Sequence, residues 1–157
     1  MKDKTGTVLC AVDFSADSEA ALLWACGQAA RDGARLVVLN VVHDPASSPG
    51  FYRKPDGDWL RPLEDVAREM FTDFIVEFKG KYPEAGSLER LETVQVSGLP
   101  PGRITEVANE IGADLIVIGS RGRTGLPHVM LGSVAERVVQ MAGPPVTVVK
   151  ARPEMEE

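Results

Sequence analysis

Residues 115–118 read Leu-Ile-Val-Ile and stop at Gly119, with further glycines at 122, 125 and 132. An unbroken apolar run of this kind marks a strand covered on both faces, the position of central strands in parallel sheets. Beyond the glycines, Ser133 and Glu136 stand at the S-x-x-E spacing of a capping box, at the head of a helical pattern. Strand, glycine-rich loop and helix start therefore follow one another. That order constrains chemistry as well as fold. A helix start exposes N–H groups without intrahelical acceptors and a partial positive charge. Glycine lets main-chain amides approach an anion with no Cβ in the way. Arg121 and Arg123 add guanidinium groups suited to phosphate oxygens. The stretch predicts a phosphate site; the plain alternative is a tight turn followed by a serine cap.

The rest of the chain repeats the same alternation. An apolar run at 7–12 ends at Asp13-Phe14-Ser15, where Ser15 is placed to cap a helix and Asp17 and Glu19 to complement its dipole. In that helix Ala20, Leu23, Trp24 and Ala30 recur at helical spacing, Leu22, Cys26 and Ala29 extend the apolar face, and Gly33 closes it. Residues 36–42 read as a second buried strand. Pro62 opens a strongly amphipathic helix ending near Gly80, whose Leu63, Val66, Ala67, Met70, Phe71, Phe74, Ile75 and Phe78 are predicted core. Residues 91–96 alternate apolar with Glu92, Thr93 and Gln95, which predicts a strand at a sheet edge. A helix with Ile104, Val107, Ala108 and Ile111 inward closes at Gly112. The helix from Ser133 turns Val134, Val138 and Met141 inward and stops before Pro144-Pro145, and 146–149 form the last strand.

Five strands alternating with four helices predict an open, parallel α/β sheet with helices on both faces. The 157 residues fit one domain over 1–150, followed by a charged tail at 151–157. Residues 44–61, rich in proline and glycine with Phe51, Tyr52 and Trp59, follow the second strand's carboxyl end. They read either as a cover for a ligand or as a solvated connection. A net charge of −6 argues against a general nucleic-acid binder. No apolar stretch reaches membrane-spanning length and no signal-like segment precedes the first strand, so a soluble, cytoplasmic protein is expected. Cys10 and Cys26 lie in apolar surroundings without metal-ligand spacing and are expected as buried free thiols.

In such sheets ligands bind beyond the strands' carboxyl ends, where strand order reverses. If the first and fourth strands are neighbours, Asp13 and Gly119 flank that crevice. A carboxylate beside a phosphate loop repels phosphates, so Asp13 is expected at the base or sugar end of a nucleotide, or near phosphate through a metal ion. Its alternative is a cap or turn residue. The last strand is too apolar for a bare edge, which predicts a homodimer pairing through Val146, Thr147, Val148, Val149 and Lys150.

The loop contains no G-x-x-x-x-G-K-[ST] and no G-x-G-x-x-G. Its spacing, Gly119, two residues, Gly122, nine residues, Gly132-Ser133, closely resembles the G-2x-G-9x-G-[ST] signature of the universal stress protein family. The resemblance extends over residues 5–150 and is also carried by Val8 and Asp13 with Ser15, by Asn40-Val41-Val42, and by Pro145 to Lys150. It implies a Rossmann-like sheet of order 3-2-1-4-5. In ATP-binding members it implies Asp13 beside the nucleoside, Val41 against adenine, and Ile118, Gly119, Arg121, Gly122, Gly132, Ser133 and Val134 around the phosphates. ATP with Mg is the implied cofactor, and dimerisation through the last strand is common in the family. Asn40 departs from the pattern, because many members carry His there.

The function expected is a nucleotide-binding regulatory protein of the universal stress response with slow or no hydrolysis. His43 and His128 have no evident nucleophile or orienting partner, and no catalytic residue is assigned. The alternative is a dimeric interaction module that binds no nucleotide. A phospho-accepting receiver is excluded, because Asp13 has no acidic neighbour and Val96-Ser97-Gly98 offers no aspartate.

Overall fold

A computed structural model describes residues 6–43, 63–122 and 130–151. The expectations for residues 44–61, for Arg123 and His128, and for the tail beyond Ala151 lie outside the described residues. The chain runs β1 (Thr7–Ala11), α1 (Ala16–Asp32), β2 (Arg35–Val42), α2 (Leu63–Lys81), β3 (Glu92–Ser97), α3 (Pro100–Ile111), β4 (Leu115–Gly119), α4 (Ser133–Met141) and β5 (Val146–Val149). The strands form one parallel sheet of order β3-β2-β1-β4-β5. The alternating pattern of β3 does belong to an edge. The fold is the doubly wound, Rossmann-like one that the sequence predicts.

Period-two alternation sends successive strand residues to opposite faces, and two cores result. On one face Val8, Cys10, Val38 and Val117 pack against Ala21, Leu22, Ala25 and Cys26 of α1 and Phe71, Ile75 and Phe78 of α2. On the other, Leu9, Val37, Ile116 and Ile118 pack against Ile104 and Val107 of α3 and Ala135 and Val138 of α4. Both cysteines are free and fully buried. Burial pushes the Cys10 thiol far up and the Cys26 thiol up to about 11, so neither ionises readily.

Three predicted core faces are corrected. In α1 the contact with the sheet is made by the small residues Ala21, Ala25 and Ala29 with Leu22, while Trp24 is 36% exposed and Ala30 lies outside. A helix lying close on a sheet needs small side chains there, and the large indole is turned away. In α4 Ala135 and Val138 are buried, but Met141, at the helix end, is 49% exposed. In α2 Met70 is 40% exposed.

Candidate functional site

The strand order reverses between β1 and β4. β1 continues to β2 through α1 on one face, and β4 continues to β5 through α4 on the other. The two connections part at the carboxyl ends of these strands and leave a crevice. There lies a cavity of about 690 Å³, well within the range of small-ligand sites. All nine residues assigned from the sequence line it: Asp13, Val41, Ile118, Gly119, Arg121, Gly122, Gly132, Ser133 and Val134. Val66, Ala67 and Met70 of α2 and Ile104 of α3 add apolar wall. Met70, predicted as core, is thus part of the cavity wall.

The β1 side is closed by the chain's own hydrogen bonds. Ser15 caps α1, its side chain accepting from the Ser18 N–H at 3.1 Å. The Ser15 N–H donates to Asp13 Oδ1 at 3.1 Å, which makes Asp13 in part the turn residue of its alternative reading. Between them Phe14 takes φ 69°, a left-handed conformation uncommon for a side chain of its size. Its ring is held 5.3 Å from that of Phe74 and 6.1 Å from that of Phe71.

At the β2 end the Asn40 side chain is buried. Its amide donates to the Val12 carbonyl at 2.9 Å and accepts from Gln95 Nε2 at 2.9 Å. Gln95 Nε2 also donates to the Ala67 carbonyl at 3.0 Å. Asn40 therefore links Val12, just past β1, to Gln95 of β3, which in turn reaches α2. His43 follows at the rim, exposed and lining the cavity.

The β4 side differs. Gly122 has φ 69°, and a Cβ there would stand 2.8 Å from Asp13 Oδ2, so both the conformation and the proximity of the carboxylate require glycine. A Cβ on Gly132 would meet the Arg121 and Ser120 carbonyl oxygens at 3.0 and 3.1 Å, and the Gly132 N–H donates to that same Ser120 oxygen. The two ends of the loop are in this way pinned together. Gly119 has another reason, since its Cβ would lie 2.7–2.9 Å from Asp17, so its absence admits the first turn of α1 rather than an anion.

The capping box is not formed. Gly132 is the N-cap of α4, extended at φ −67° and ψ 155°, with its carbonyl accepting from the Glu136 N–H at 2.9 Å. Ser133 is the first helical residue and its side chain makes no cap. The pinning of Gly132 to Ser120 sets the helix start one residue earlier than the S-x-x-E spacing predicts. The first-turn amides of α4 have no intrahelical acceptors and, among the described residues, no side-chain cap, and they border the cavity.

Arg121 also departs from expectation. Its Nε and Nη2 donate to Asp17 Oδ2 and Oδ1 at 2.9 and 2.7 Å, and its backbone N–H donates to Oδ2 at 3.0 Å. The guanidinium expected toward phosphate is turned onto Asp17, its side chain 11% exposed. Asp17, expected only as a dipole partner, is the residue that sequence reasoning missed. Burial alone would raise its pKa, but the hydrogen bonds from Arg121, Ser120 and Ala151 and the Arg121 charge bring it down to about 2. A signal was present: Asp17, Ala21 and Ala25 recur every four residues, so the carboxylate heads the stripe that faces the sheet.

Among the described residues no cluster of three His, Cys, Asp or Glu side chains could hold a metal ion by itself. Asp13 is the one carboxylate among the described cavity residues. That donor set does not form a protein cage, but it suits Mg²⁺, which uses one or two carboxylates together with phosphate oxygens and water. No helix among the described residues is long and apolar enough to cross a membrane.

The sequence profile of the Universal stress protein family matches residues 4–150. A universal stress protein of Mycolicibacterium smegmatis is 34% identical over 145 residues, which are 92% of this chain and 46% of that protein. YxiE of Bacillus subtilis is 33% identical over 147 residues, covering 91% of this chain and 97% of that one. The chain thus spans about half the length of the first mycobacterial relatives it matches and nearly all of YxiE. Among solved structures MJ0577, a universal stress protein of Methanocaldococcus jannaschii, has a TM-score of 0.68 at 25% identity, covering 94% of this chain and 96% of that one. A universal stress protein in complex with cAMP has a TM-score of 0.65 at 23% identity, with 96% and 100% covered. One from Archaeoglobus fulgidus in complex with dAMP has a TM-score of 0.61 at 24% identity, with 92% and 98% covered. Fold, glycine spacing and profile agree, and the chain belongs to the universal stress protein family.

Proposed function

We propose that this chain is a nucleotide-binding regulatory protein of the stress response, taking ATP with Mg²⁺, with hydrolysis slow or absent. The reading rests above all on the uncapped start of α4 beside a cavity of nucleotide size. Side chains close the start of α1, whereas α4 offers main-chain donors and a helix dipole to an anion. Two proteins of the same fold that hold adenine mononucleotides support the same chemistry. The adenine would lie along Val41 between Leu39 and Ile104, and the phosphates by Gly122, Gly132, Ser133 and Val134. Asp13 would meet the ribose or join the magnesium; the metal would offset phosphate charge that Asp13 otherwise repels. Residues 1–150 would work as one cytoplasmic domain, paired as a homodimer through Val146 to Lys150, where β5 pairs with β4 alone among the described strands.

Mass spectrometry of the purified protein for co-purifying nucleotide and calorimetry with Mg-ATP test this reading. Bound adenine nucleotide or measurable heat is the expected result; no heat from any purine nucleotide overturns it. Gly122→Val, which puts a branched side chain at φ 69° and against Asp13, is expected to abolish the rise in melting temperature caused by Mg-ATP. An undiminished rise would place the ligand elsewhere. The second reading, an interaction module without nucleotide, draws on one observation: the Arg121 guanidinium already has a partner in Asp17.

A further inference from the structure

We propose that Asp17 is a positioning residue of this site, holding Arg121 as a strut at the start of the loop instead of a phosphate ligand and fastening that strut to the end of β5. The inference rests on the nucleotide reading of the cavity. Asp17 is 2% exposed, and its carboxylate accepts from the Ser120 hydroxyl at 2.8 Å, from three nitrogens of Arg121 at 2.7–3.0 Å, and from the Ala151 N–H at 3.0 Å. Both oxygens are thereby saturated, Oδ2 by the start of the loop and Oδ1 by Arg121 and the residue that follows Lys150.

Three consequences follow from that geometry. The charge on Arg121 is matched within the protein, which leaves phosphate recognition to main-chain amides. Ser120 and Arg121 are fixed so that their carbonyl oxygens crowd Gly132 and set where α4 begins. One carboxylate also touches both the ligand loop and the strand expected to pair with a second subunit, so the position of either is felt by the other.

The test uses the full chain with Asp17→Asn, Arg121→Gln and the two combined. Asn presents an amide N–H₂ to groups that are themselves donors, and the double variant removes both charges so that neither is left buried alone. Calorimetry with ATP, AMP and adenosine is expected to show each single variant weakening ATP and AMP alike, by about ten-fold, with the double variant no weaker than either and adenosine unchanged. Tighter ATP binding by Asp17→Asn would mean that a freed guanidinium reaches the phosphates. A loss in Arg121→Gln that grows with phosphate number would mean the same, and either result overturns the inference. Amide hydrogen exchange in the nucleotide-free protein decides the anchor separately. Asp17→Asn is expected to speed exchange at both Arg121 and Ala151, whereas Ser15→Ala is not. An unchanged Ala151 amide defeats the proposal even if nucleotide binds; absence of nucleotide binding to the wild type defeats the functional reading instead.

Discussion

Two helices begin at the rim of the same cavity, and their first turns are built oppositely. The start of α1 is closed by Ser15, whose side chain accepts from Ser18, and by Asp17, whose carboxylate is buried under five hydrogen bonds. The start of α4 is headed by Gly132, without a side-chain cap and with its first-turn amides beside the cavity. Both sequences carry the same advertisement, a serine ahead of an acidic residue. What separates them is whether neighbouring chain already occupies the space. The first turn of α1 presses against Gly119 and the end of β5, so its polar groups must be satisfied internally. The first turn of α4 lines the cavity, and its N–H groups find no side-chain cap among the described residues.

The sharpest way to break this contrast is Asp17→Ala. It removes the buried carboxylate that pairs with Arg121 and on which five hydrogen bonds converge, and a loss of about 3–5 kcal/mol is expected in urea unfolding. A loss comparable to that of an ordinary surface substitution would show that the closed start is not closed. Acid probes the same contact. The Asp17 carboxyl is held below its ordinary value of 3.8 at about 2, so its contribution is complete above pH 4 and disappears as pH falls through 2. That amounts to about 2 kcal/mol, and urea midpoints for wild type and Asp17→Asn are expected to converge toward pH 2. Parallel midpoints down to that pH would refute the assignment.

Ser15→Ala removes a side-chain cap that exists, and about 1 kcal/mol of stability should go with it, read as a lowered midpoint at constant slope. Ser133→Ala removes one that does not form, and the change should stay within about 0.5 kcal/mol. Equal losses at the two serines would erase the distinction between the helix starts.

The contrast also marks where the sequence was readable. Apolar run length and glycine position were sufficient for every strand and helix, and β3 declared its edge by alternation. Those signals are local, since burial on two faces or one is written directly into consecutive side chains. The nine residues that the family resemblance implies likewise line one cavity. What it did not reveal was division of labour. Gly119 was read for an anion and serves a helix, Ser133 was read as a cap and is a first-turn residue, and Arg121 was read for phosphate and meets Asp17. Each depends on a partner about a hundred residues away or on which of two adjacent positions starts a helix. Spacing within one segment carries no information about such partners. Trp24 lies outside because small residues are needed where α1 and the sheet lie close, and Met141 because it ends α4.

The amide of Asn40 supplies one last consequence. It gives to Val12 and receives from Gln95, and it offers that pair of roles at any acidity the fold survives. A histidine, which the family resemblance leads one to expect at this position, would provide both roles only while neutral, and near its own titration it would abandon the acceptor. With an amide in that place, the joint between Val12 and Gln95 is indifferent to acidification.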